Sequence, residues 1–600
     1  MDFADLRTHA ERWIADDPDP ATRAELNALL RHADLSKTDL ADRFSAALEF
    51  GTAGLRGVLG AGPNRMNRAV VARATWGLAS TILARVPRAA ERVLVVGGDA
   101  RRMSRELSED VAAIAAASGL RVMLFGGPVP TPLVGFTVKK LGAAAGVVIT
   151  ASHNPPEYSG YKVYWENAVQ ILPPVDAHIA EAIQRAPAAR EIFRPSLESL
   201  RAAGRVVDAP PDLETEYVAA IRSLAVHPDE GDRRISIVYT PLHGVGDRLV
   251  HQALARAGFV SVTSVPDQKD PDCAFPTVAF PNPEEPGAMD RALTLASRMG
   301  ADLVLANDPD ADRLAVAVPR PHEGGPWPLS GRAPDEGAVG RYVRLTGNEV
   351  GALLGHYLLT ERPRTRPRAV VASIVSSPLL GRMAAELDAT YDETLTGFKW
   401  IAHRALELER AGIEFLFGFE EAIGYCIGDV VHDKDGISAA LLVAELTAVL
   451  RSRGRTLATE LEAIARRWGL FTSAQVSVTR KGASGAAAIR SMMTALRAAP
   501  PLRIGDDEVV AVADYETSSR RDCRSGRRSA LTLPSSDVLS FELASGGRVV
   551  ARPSGTEPKA KFYFDVREPV GVGEPVARAA ARAHASIDRL ATAFQAMISL

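Results

Sequence analysis

The amino-acid sequence predicts an α/β protein with three related mixed α/β domains and a fourth, smaller α+β domain. Two observations carry this prediction. Apolar strands alternate with helical patterns three times between Arg68 and Phe417, which is typical of βαβ units with a mostly parallel sheet. After about residue 460 the pattern changes to strands separated by long loops, followed by a final amphipathic helix from Val576 to Phe594.

The length and composition fit a chain of several globular domains. The 600 residues are too many for one hydrophobic core, and we expect domains at residues 1–205, 206–322, 323–460 and 461–600. Apolar residues make up 46% of the chain and charged residues 24%. Because 70 Lys and Arg residues are balanced by 73 Asp and Glu residues, a net charge of -3, the chain has no global basic field for nucleic acid.

Nothing in the sequence predicts a membrane span or export. No run approaches 18 consecutive apolar residues, and the first 30 residues are acidic, unlike the basic and then apolar layout of a signal peptide. The three cysteines, Cys273, Cys426 and Cys523, are too few and too scattered for a disulfide framework or a zinc site. We therefore expect a cytoplasmic enzyme with neither a nucleic-acid nor a membrane partner.

The N-terminal segment, to about residue 48, predicts two helices separated by the breaker from Asp16 to Pro20. The next feature is the segment from Phe50 to Gly57, in which glycines and other small residues frame Arg56. One interpretation is a flexible turn with a solvated arginine. The other is a loop that brings backbone N–H groups and the Arg56 guanidinium group against a phosphate.

A serine and a histidine follow the strand predicted from Gly146 to Ile149. Pro155 and Pro156 force the chain to turn, so Ser152 and His153 lie on a loop at the carboxyl end of this strand. Open α/β sheets place their ligands there. Serine is also common in ordinary turns, so the Ser-His pair alone leaves a plain loop open as the alternative.

Three aspartates at alternate positions, Asp308, Asp310 and Asp312, follow the strand predicted from Ala301 to Ala306. Because Pro309 bends the chain between them, their carboxylates can converge on one hard divalent cation such as Mg²⁺. A solvated acidic turn is the alternative. The Asp-x-Asp spacing also resembles the nucleophile loop of haloacid-type phosphatases.

Two further loops carry groups suited to a sugar phosphate. Glu420 and Glu421 end the third unit's strand, and carboxylates accept hydrogen bonds from sugar hydroxyls; an acidic helix N-terminus is the alternative. The segment from Arg552 to Lys559 combines an arginine fork, hydroxyls, a lysine and an exposed glycine backbone, which together suit a phosphate. A turn with solvated charges is the alternative there.

These loops together resemble those of the α-D-phosphohexomutases, the phosphoglucomutase and phosphomannomutase superfamily. The string Thr-Ala-Ser-His-Asn-Pro-Pro-Glu-Tyr-Ser-Gly-Tyr-Lys, from Thr150 to Lys162, is similar to the superfamily's active-site serine loop. The segments 308–313, 418–425 and 552–559 resemble its magnesium, sugar-recognition and phosphate-binding loops. The four loops occur in the family's order, one in each of four segments, and imply a four-domain protein arranged around a central cleft.

The resemblance also implies a role for each site residue. Ser152 would carry a phosphate and share Mg²⁺ with the three aspartates of the magnesium loop. Lys162 and His153 would be the acid–base candidates, while Arg56 and Arg313 stabilise charge. The substrate-contacting residues would be Lys399, Glu420 and Glu421 on the sugar side and Arg552, Ser554, Gly555, Thr556 and Lys559 around the phosphate that is not reacting.

The implied activity is the interconversion of a sugar 1-phosphate and a sugar 6-phosphate, glucose first, through a phosphoserine enzyme and a bisphosphorylated sugar. A catalytic sugar 1,6-bisphosphate would act as activator by rephosphorylating Ser152. The position of Ala422 departs from the commoner Glu-Glu-Ser form and resembles the branch with phosphoglucomutase-2-type and phosphopentomutase enzymes. A phosphomannomutase or phosphopentomutase is therefore the alternative.

Other classes of protein stay open on the sequence. A sugar phosphatase would use the same metal and phosphate groups. A kinase would need an ATP site, and the sequence contains neither Gly-x-x-x-x-Gly-Lys-Ser/Thr nor the kinase signatures. A sugar-phosphate sensor would keep the phosphate cradle but would have no use for Ser152 beside three aligned aspartates.

Overall fold

The computed structural model describes residues 3–49, 54–320, 341–480, 482–553 and 559–598, which form a helical N-terminal segment and four successive sheets. The N-terminal helices are α1 (Phe3–Asp16), α2 (Pro20–Arg31) and α3 (Ala33–Arg43). The break after Asp16 lies where the sequence places it, and the Asp19 carboxylate caps α2 by accepting the Ala21 N–H. The prediction of two helices is wrong, because the chain forms α3 directly after α2.

The first sheet has the order β1-β5-β4-β2-β3-β6, in which β2, β3, β4 and β6 pair in parallel and β5 pairs antiparallel with both β1 and β4. Its elements are β1 (Leu55–Val58), α4 (Arg68–Arg85), β2 (Val93–Gly98), α5 (Ser104–Ala117), β3 (Arg121–Leu124), α6 (Thr131–Leu141), β4 (Ala145–Ile149), β5 (Tyr158–Tyr164), α7 (Val175–Gln184), α8 (Leu197–Ala202) and β6 (Val206–Asp208), with short 3-10 helices at Ala89–Glu91 and Ala189–Glu191. The central parallel strands β2 and β4 are buried on both faces because helices cover them.

The second sheet repeats this plan with the order β11-β10-β9-β7-β8. Its elements are α9 (Asp212–Arg222), β7 (Ile237–Thr240), α10 (Asp247–Arg256), β8 (Val262–Ser264), α11 (Asp290–Met299), β9 (Leu303–Asn307), β10 (Leu314–Pro319) and β11 (Tyr342–Arg344). Strands β7, β8 and β9 are parallel, and β10 pairs antiparallel with both β9 and β11.

The third sheet has the order β13-β12-β14-β15, with the first three strands parallel and β15 antiparallel to β14. Its elements are α12 (Gly347–Glu361), β12 (Arg368–Ser373), α13 (Leu379–Glu386), β13 (Thr390–Thr394), α14 (Phe398–Arg410), β14 (Glu414–Glu420), β15 (Gly424–Ile427), α15 (Gly436–Ser452) and α16 (Leu457–Trp468). A single hydrophobic core joins this unit to the second one through α15, which is buried along nearly its whole length.

The fourth sheet is antiparallel, in the order β16-β23-β22-β21-β18-β19-β20, with β17 paired to β18. Its elements are β16 (Leu470–Thr479), α17 (Gly482–Ala498), β17 (Arg503–Ile504), β18 (Asp507–Asp514), β19 (Ser519–Asp522), β20 (Arg528–Ala530), β21 (Leu539–Leu543), β22 (Arg548–Pro553), β23 (Lys559–Glu568) and α18 (Val576–Ile598). Phe594 of α18 packs against Phe541, Phe562 and Phe564 of the sheet. The predicted class, three related mixed α/β units and a C-terminal α+β unit, is confirmed.

The exact extents of the domains stay a prediction. Strand β6 begins at Val206, inside the predicted second domain, but pairs with β3 of the first sheet. Strand β11 begins at Tyr342, inside the predicted third domain, but pairs with β10 of the second sheet. In the described part of the chain, no helix has both the length and the apolar character needed to cross a membrane.

The three α/β units place one loop each at the same topological position. This loop connects a parallel strand to its antiparallel neighbour, namely β4 to β5, β9 to β10, and β14 to β15. Each loop contains one non-glycine residue in the left-handed region: Ser152 (φ 52°), Ala311 (φ 57°) and Ile423 (φ 53°). The loops that the sequence singles out therefore lie at the carboxyl ends of central strands, where such sheets bind ligands.

Candidate active site

Ser152 occupies a strained turn between β4 and β5. Its φ of 52° costs an ordinary residue roughly 1–2 kcal/mol. The turn is held because the Thr150 hydroxyl accepts the Ser152 N–H at 2.9 Å and itself donates to the Asp99 carboxylate at 2.7 Å. Such strain is characteristic of a functional position that the surrounding structure fixes.

Arg101 holds the serine loop through its backbone. The guanidinium group donates to the carbonyl oxygens of Ser152 at 2.6 Å, Asn154 at 2.5 Å and Pro155 at 2.8 Å. Asp99 lies 3.2 Å from the Arg101 Nε, and each side chain of this ion pair is only 1% exposed. Since one cation satisfies several carbonyl groups, it fixes the direction in which Ser152 points.

We expect Arg101→Lys to lower kcat by about 100-fold with little change in KM, because a displacement of the nucleophile on the order of 1 Å has an effect of that size. The lysine keeps a positive charge beside Asp99 but lacks the planar fork that reaches several carbonyls. Steady-state kinetics would check this. Arg105→Lys is the control, since Arg105 is exposed and pairs with Glu109 one turn away. A wild-type kcat for Arg101→Lys would contradict the assignment.

The magnesium loop meets the serine loop. Asp308, Asp310 and Asp312 follow β9 directly, are buried, and offer carboxylate oxygens that lie within 4.8 Å of one another. The Ser152 Oγ donates to the Asp308 Oδ2 at 2.7 Å. Burial, and then the charges of the two other aspartates, raise the pKa of Asp308 well above its ordinary value. A cation at this point would stabilise the charged carboxylates.

The donor pattern around the aspartates fits a divalent cation. Lys162 donates to the Oδ2 atoms of Asp310 and Asp312 at 2.8 and 2.9 Å. The Oδ1 atoms of both residues are buried and have no hydrogen-bond partner within the described ranges. Buried carboxylate oxygens without donors are costly, and oxygen ligands of this kind are what Mg²⁺ requires.

The basic groups near Ser152 divide into charged and neutral ones. Although burial lowers the pKa of Lys162, the charges of Asp310 and Asp312 raise it above the ordinary lysine value, so this amine stays protonated. Burial, followed by the charges of Arg313 and Arg56, lowers the pKa of His153 well below 6.5, so the imidazole is neutral at physiological pH.

Two arginines come from different domains to the same place. Arg56 donates to the Asn154 Oδ1 at 2.9 Å, and Arg313 donates to the Ala422 carbonyl oxygen at 3.3 Å. The Nε atoms of both are buried and, among the residues that the structure describes, lack a hydrogen-bond partner. Guanidinium groups with unused donors form a site for an anion such as a phosphate.

The adjacent carboxylates of the sugar-recognition loop face different partners. The Glu420 Oε1 accepts the Gly397 N–H at 2.7 Å. The Glu421 Oε2 accepts hydroxyl hydrogens from Ser373 at 3.3 Å and Ser376 at 3.2 Å. The two carboxylates therefore have different protein partners, and the role of each toward a substrate stays a prediction.

The Glu421 carboxyl is the group in this loop with a near-neutral pKa. Burial, then the negative charge of Glu420, raises its pKa from 4.5 to about 7, and Glu284 across the neighbouring cavity acts in the same direction. Burial lowers the pKa of Lys561 in the fourth unit, and the nearby negative charge of Glu421 opposes that shift. This cavity, of about 270 Å³, lies where the second, third and fourth units meet.

We expect the thermal stability of Glu421→Gln, relative to wild type, to rise between pH 5 and pH 7.5. The folded protein binds the Glu421 proton more tightly than the unfolded chain does, so this group's contribution falls as pH rises from 4.5 to about 7 and is constant above. The change is roughly 1–3 kcal/mol. Scanning calorimetry of both proteins at fixed scan rate measures it, and a difference that does not vary with pH would contradict it.

Lys399 links the third unit to the first. Its Nζ donates to the Ile171 carbonyl oxygen at 3.3 Å, and burial lowers its pKa. The amine, which the sequence places with the substrate-contacting groups, therefore has a protein partner in this structure. Its role toward a substrate stays a prediction.

The phosphate-binding loop connects β22 to β23. Arg552 and Lys559 lie at the facing ends of these strands, while Ser554, Gly555 and Thr556 lie outside the described residues. Arg552 is directly opposite Lys561 in the strand register. Like charges in such a pair are unfavourable unless an anion lies between them, which suits a phosphate site.

Two lysines near the site, Lys434 and Lys561, were not predicted from the sequence. Lys561 is two residues beyond Lys559 on the same strand, so period-2 alternation places both on one face and would have revealed it. The Lys434 Nζ lies 3.2 Å from the Asp312 Oδ2. The signal for it was the charged run from Asp433 to Asp435 between apolar segments.

Comparisons with known proteins match this arrangement. Family models described as phosphoglucomutase/phosphomannomutase alpha/beta/alpha domains I, II and III match residues 47–190, 215–324 and 346–467 in order. A Haemophilus influenzae protein named "Probable phosphomannomutase" is 38% identical over 506 residues, which cover 84% of this chain and 93% of that protein. A phosphopentomutase from Mus musculus is 35% identical over 599 residues, which cover 95% and 92%.

A solved structure shares the fold. The open form of parafusin, a phosphoglucomutase from Paramecium, has a TM-score of 0.65 over 92% of this chain and 96% of that one, at 18% identity. At that identity the likeness concerns the fold alone. Three family models match in order, and this chain aligns with relatives above 30% identity over 92–93% of their length. The chain therefore belongs to the phosphoglucomutase/phosphomannomutase family of the α-D-phosphohexomutases and is a sugar-phosphate mutase of that type.

Proposed function

We propose that this enzyme interconverts glucose 1-phosphate and glucose 6-phosphate by moving phosphate between Ser152 and the sugar. The observation that carries the proposal is the 2.7 Å hydrogen bond from the Ser152 Oγ to Asp308, within a group of three buried aspartates. A serine in an ordinary surface turn does not need three buried aspartates beside it. A serine that carries a dianionic phosphate beside a metal does.

The residues divide the phosphoryl transfer between them. The bond from phosphorus to the Ser152 Oγ breaks as a bond to a sugar hydroxyl oxygen forms, and the hydroxyl proton passes to a base. His153, which is neutral, can accept that proton, and Lys162, which is charged, can donate one to the leaving oxygen. Arg56 and Arg313 lie where negative charge builds up on the phosphoryl oxygens.

Asp308, Asp310 and Asp312 would hold Mg²⁺, which when bound supplies charge neutralisation for phosphoryl transfer. In the fourth unit, Arg552 and Lys559, with Ser554, Gly555 and Thr556 between them in the sequence, would hold the second phosphate. The bisphosphorylated sugar must turn over between the two half-reactions, since each of its phosphates has to reach Ser152 in turn. A sugar 1,6-bisphosphate added in catalytic amounts would rephosphorylate enzyme that has lost its phosphate.

Pentose and mannose phosphates are the second candidates. The mouse phosphopentomutase matches 95% of this chain, and the Haemophilus influenzae relative carries a phosphomannomutase name. Ala422 offers no hydroxyl to the sugar, and its carbonyl oxygen is taken by Arg313. With fewer hydrogen-bonding groups than the Glu-Glu-Ser form, this loop favours no particular sugar hydroxyl, which is compatible with a pentose.

A substrate panel tests the proposal. Glucose 1-phosphate, mannose 1-phosphate and ribose 1-phosphate would be ranked by kcat/KM from the isomer formed, in the presence of Mg²⁺ and catalytic bisphosphate. Glucose 1-phosphate ranking first supports the proposed substrate. Ribose 1-phosphate ranking first would replace it by the pentose alternative, and release of inorganic phosphate without any isomer would mean a sugar phosphatase.

A further inference from the structure

Thr131 of the first unit contacts the magnesium loop of the second. It is the first residue of α6, where the helix leaves its N–H groups without helical acceptors. The Thr131 N–H donates to the Asp310 carbonyl oxygen at 3.0 Å, and its Oγ1 donates to the Asp310 Oδ2 at 2.7 Å. Thr131, which is fully buried, therefore donates hydrogen bonds to both the backbone and the side chain of Asp310.

The two oxygens of Asp310 are used unequally. Oδ2 accepts two hydrogen bonds, from Thr131 and from the Lys162 Nζ at 2.8 Å. Oδ1 is buried and, among the described residues, accepts none. The carboxylate is thus oriented so that one oxygen is satisfied by protein donors and the other is left for a different partner.

We propose that Thr131 is a positioning residue for the metal, which turns the Asp310 Oδ1 toward the cation by holding Oδ2. This inference rests on the proposed metal site. A hydroxyl suits the task because it is neutral: it fixes the orientation of the carboxylate without cancelling the charge that attracts Mg²⁺, as a second cation would. Partners of this kind typically affect metal affinity by about 10- to 100-fold.

The contact also couples two domains to the metal. Asp310 belongs to the loop after β9, while Thr131 begins a helix that packs on β2 and β4 of the first sheet, the sheet that carries Ser152. The serine loop and the metal loop are therefore held in register by a hydrogen bond to the metal ligand itself.

The test measures metal binding directly on the full chain. Mn²⁺ binding, followed by the loss of the free-ion electron paramagnetic resonance signal, would be compared for wild type, Thr131→Val and Thr131→Ser. We expect Thr131→Val to bind Mn²⁺ about 10- to 100-fold more weakly and Thr131→Ser to bind close to wild type, since serine restores the hydroxyl. The Mg²⁺ concentration for half-maximal activity should shift in parallel.

Thr137→Val is the matched control. Thr137 is equally buried on the same helix, but its hydroxyl donates to the Leu133 carbonyl oxygen one turn earlier. Wild-type Mn²⁺ affinity for Thr131→Val, or an equal loss for Thr137→Val, would overturn the inference. If Thr131→Val fails to fold, Thr131→Ala removes the same hydroxyl without an added methyl group and is judged by the same criterion. Absence of Mn²⁺ binding by wild type would instead reject the metal site itself.

Discussion

Ser152→Ala is expected to remove mutase turnover, by roughly 10⁴-fold or more, because loss of a nucleophile has effects of that size. The Ser152 Oγ is the oxygen that the proposal requires to carry the phosphate. The fold should survive, since alanine meets the same cost of about 1 kcal/mol or more at this left-handed position as serine does. The Thr150 hydroxyl still accepts the backbone N–H of residue 152.

The measurement for this variant combines activity with mass spectrometry. The wild-type protein should carry phosphate on a peptide containing Ser152, and the alanine variant should carry none while keeping the wild-type circular dichroism spectrum. Ser108→Ala is the control, because Ser108 is a buried serine of the same domain whose hydroxyl donates to the carbonyl oxygens of Gly97 and Ser104 in its own unit. Full activity of Ser152→Ala, or phosphate on another residue, would reject the assignment.

Asp310→Asn is expected to have the second largest effect, a loss of about 10²- to 10⁴-fold in activity, since a cation that neutralises charge contributes several kcal/mol. The substitution removes one anionic ligand and also one of the two carboxylates that hold Lys162. Partial rescue by raised Mg²⁺ is expected, because the two remaining aspartates still attract the cation.

Kinetics over a range of Mg²⁺ concentrations would separate the two consequences of Asp310→Asn. A raised half-maximal Mg²⁺ concentration reports the lost ligand, while a lowered kcat at saturating Mg²⁺ reports the disturbed Lys162. Asp302→Asn is the matched control, because Asp302 precedes the same strand at its other end and pairs with Arg451. Unchanged activity of Asp310→Asn in the presence of a chelator would contradict the metal site.

The sequence predicted the α/β units and their loops because both depend on short-range patterns. Apolar runs such as Ala145–Ile149 are buried on both faces, and the polar loops after them follow within one or two residues. A continuous apolar run in the sequence is typical of a strand that is buried on both faces. The sequence singles out Ser152, Asp308 and Glu420 for the same reason, since each lies at or just after the end of one of these runs.

The features that were missed depend on long-range contacts or weak patterns. Helix α3 has few apolar positions, and it is stabilised by Leu40, which joins Leu26 in one hydrophobic cluster, and by Arg43, which pairs with Glu25 of α2. The hydrogen bond from Thr131 to Asp310 connects residues that are 179 positions apart in the chain. The different protein partners of Glu420 and Glu421 likewise depend on where Ser376 lies, which no local pattern fixes.

A single-turnover experiment can show whether phosphate passes between Ser152 and the sugar without reaching water. Enzyme phosphorylated on Ser152 would be mixed with one equivalent of glucose 1-phosphate. Intact-mass spectrometry would follow the serine phosphate, and coupled assays would follow glucose 6-phosphate and inorganic phosphate. We expect the serine phosphate to be exchanged through a bisphosphorylated sugar, with glucose 6-phosphate formed and negligible inorganic phosphate released. Stoichiometric inorganic phosphate, with no isomer formed, would contradict this expectation.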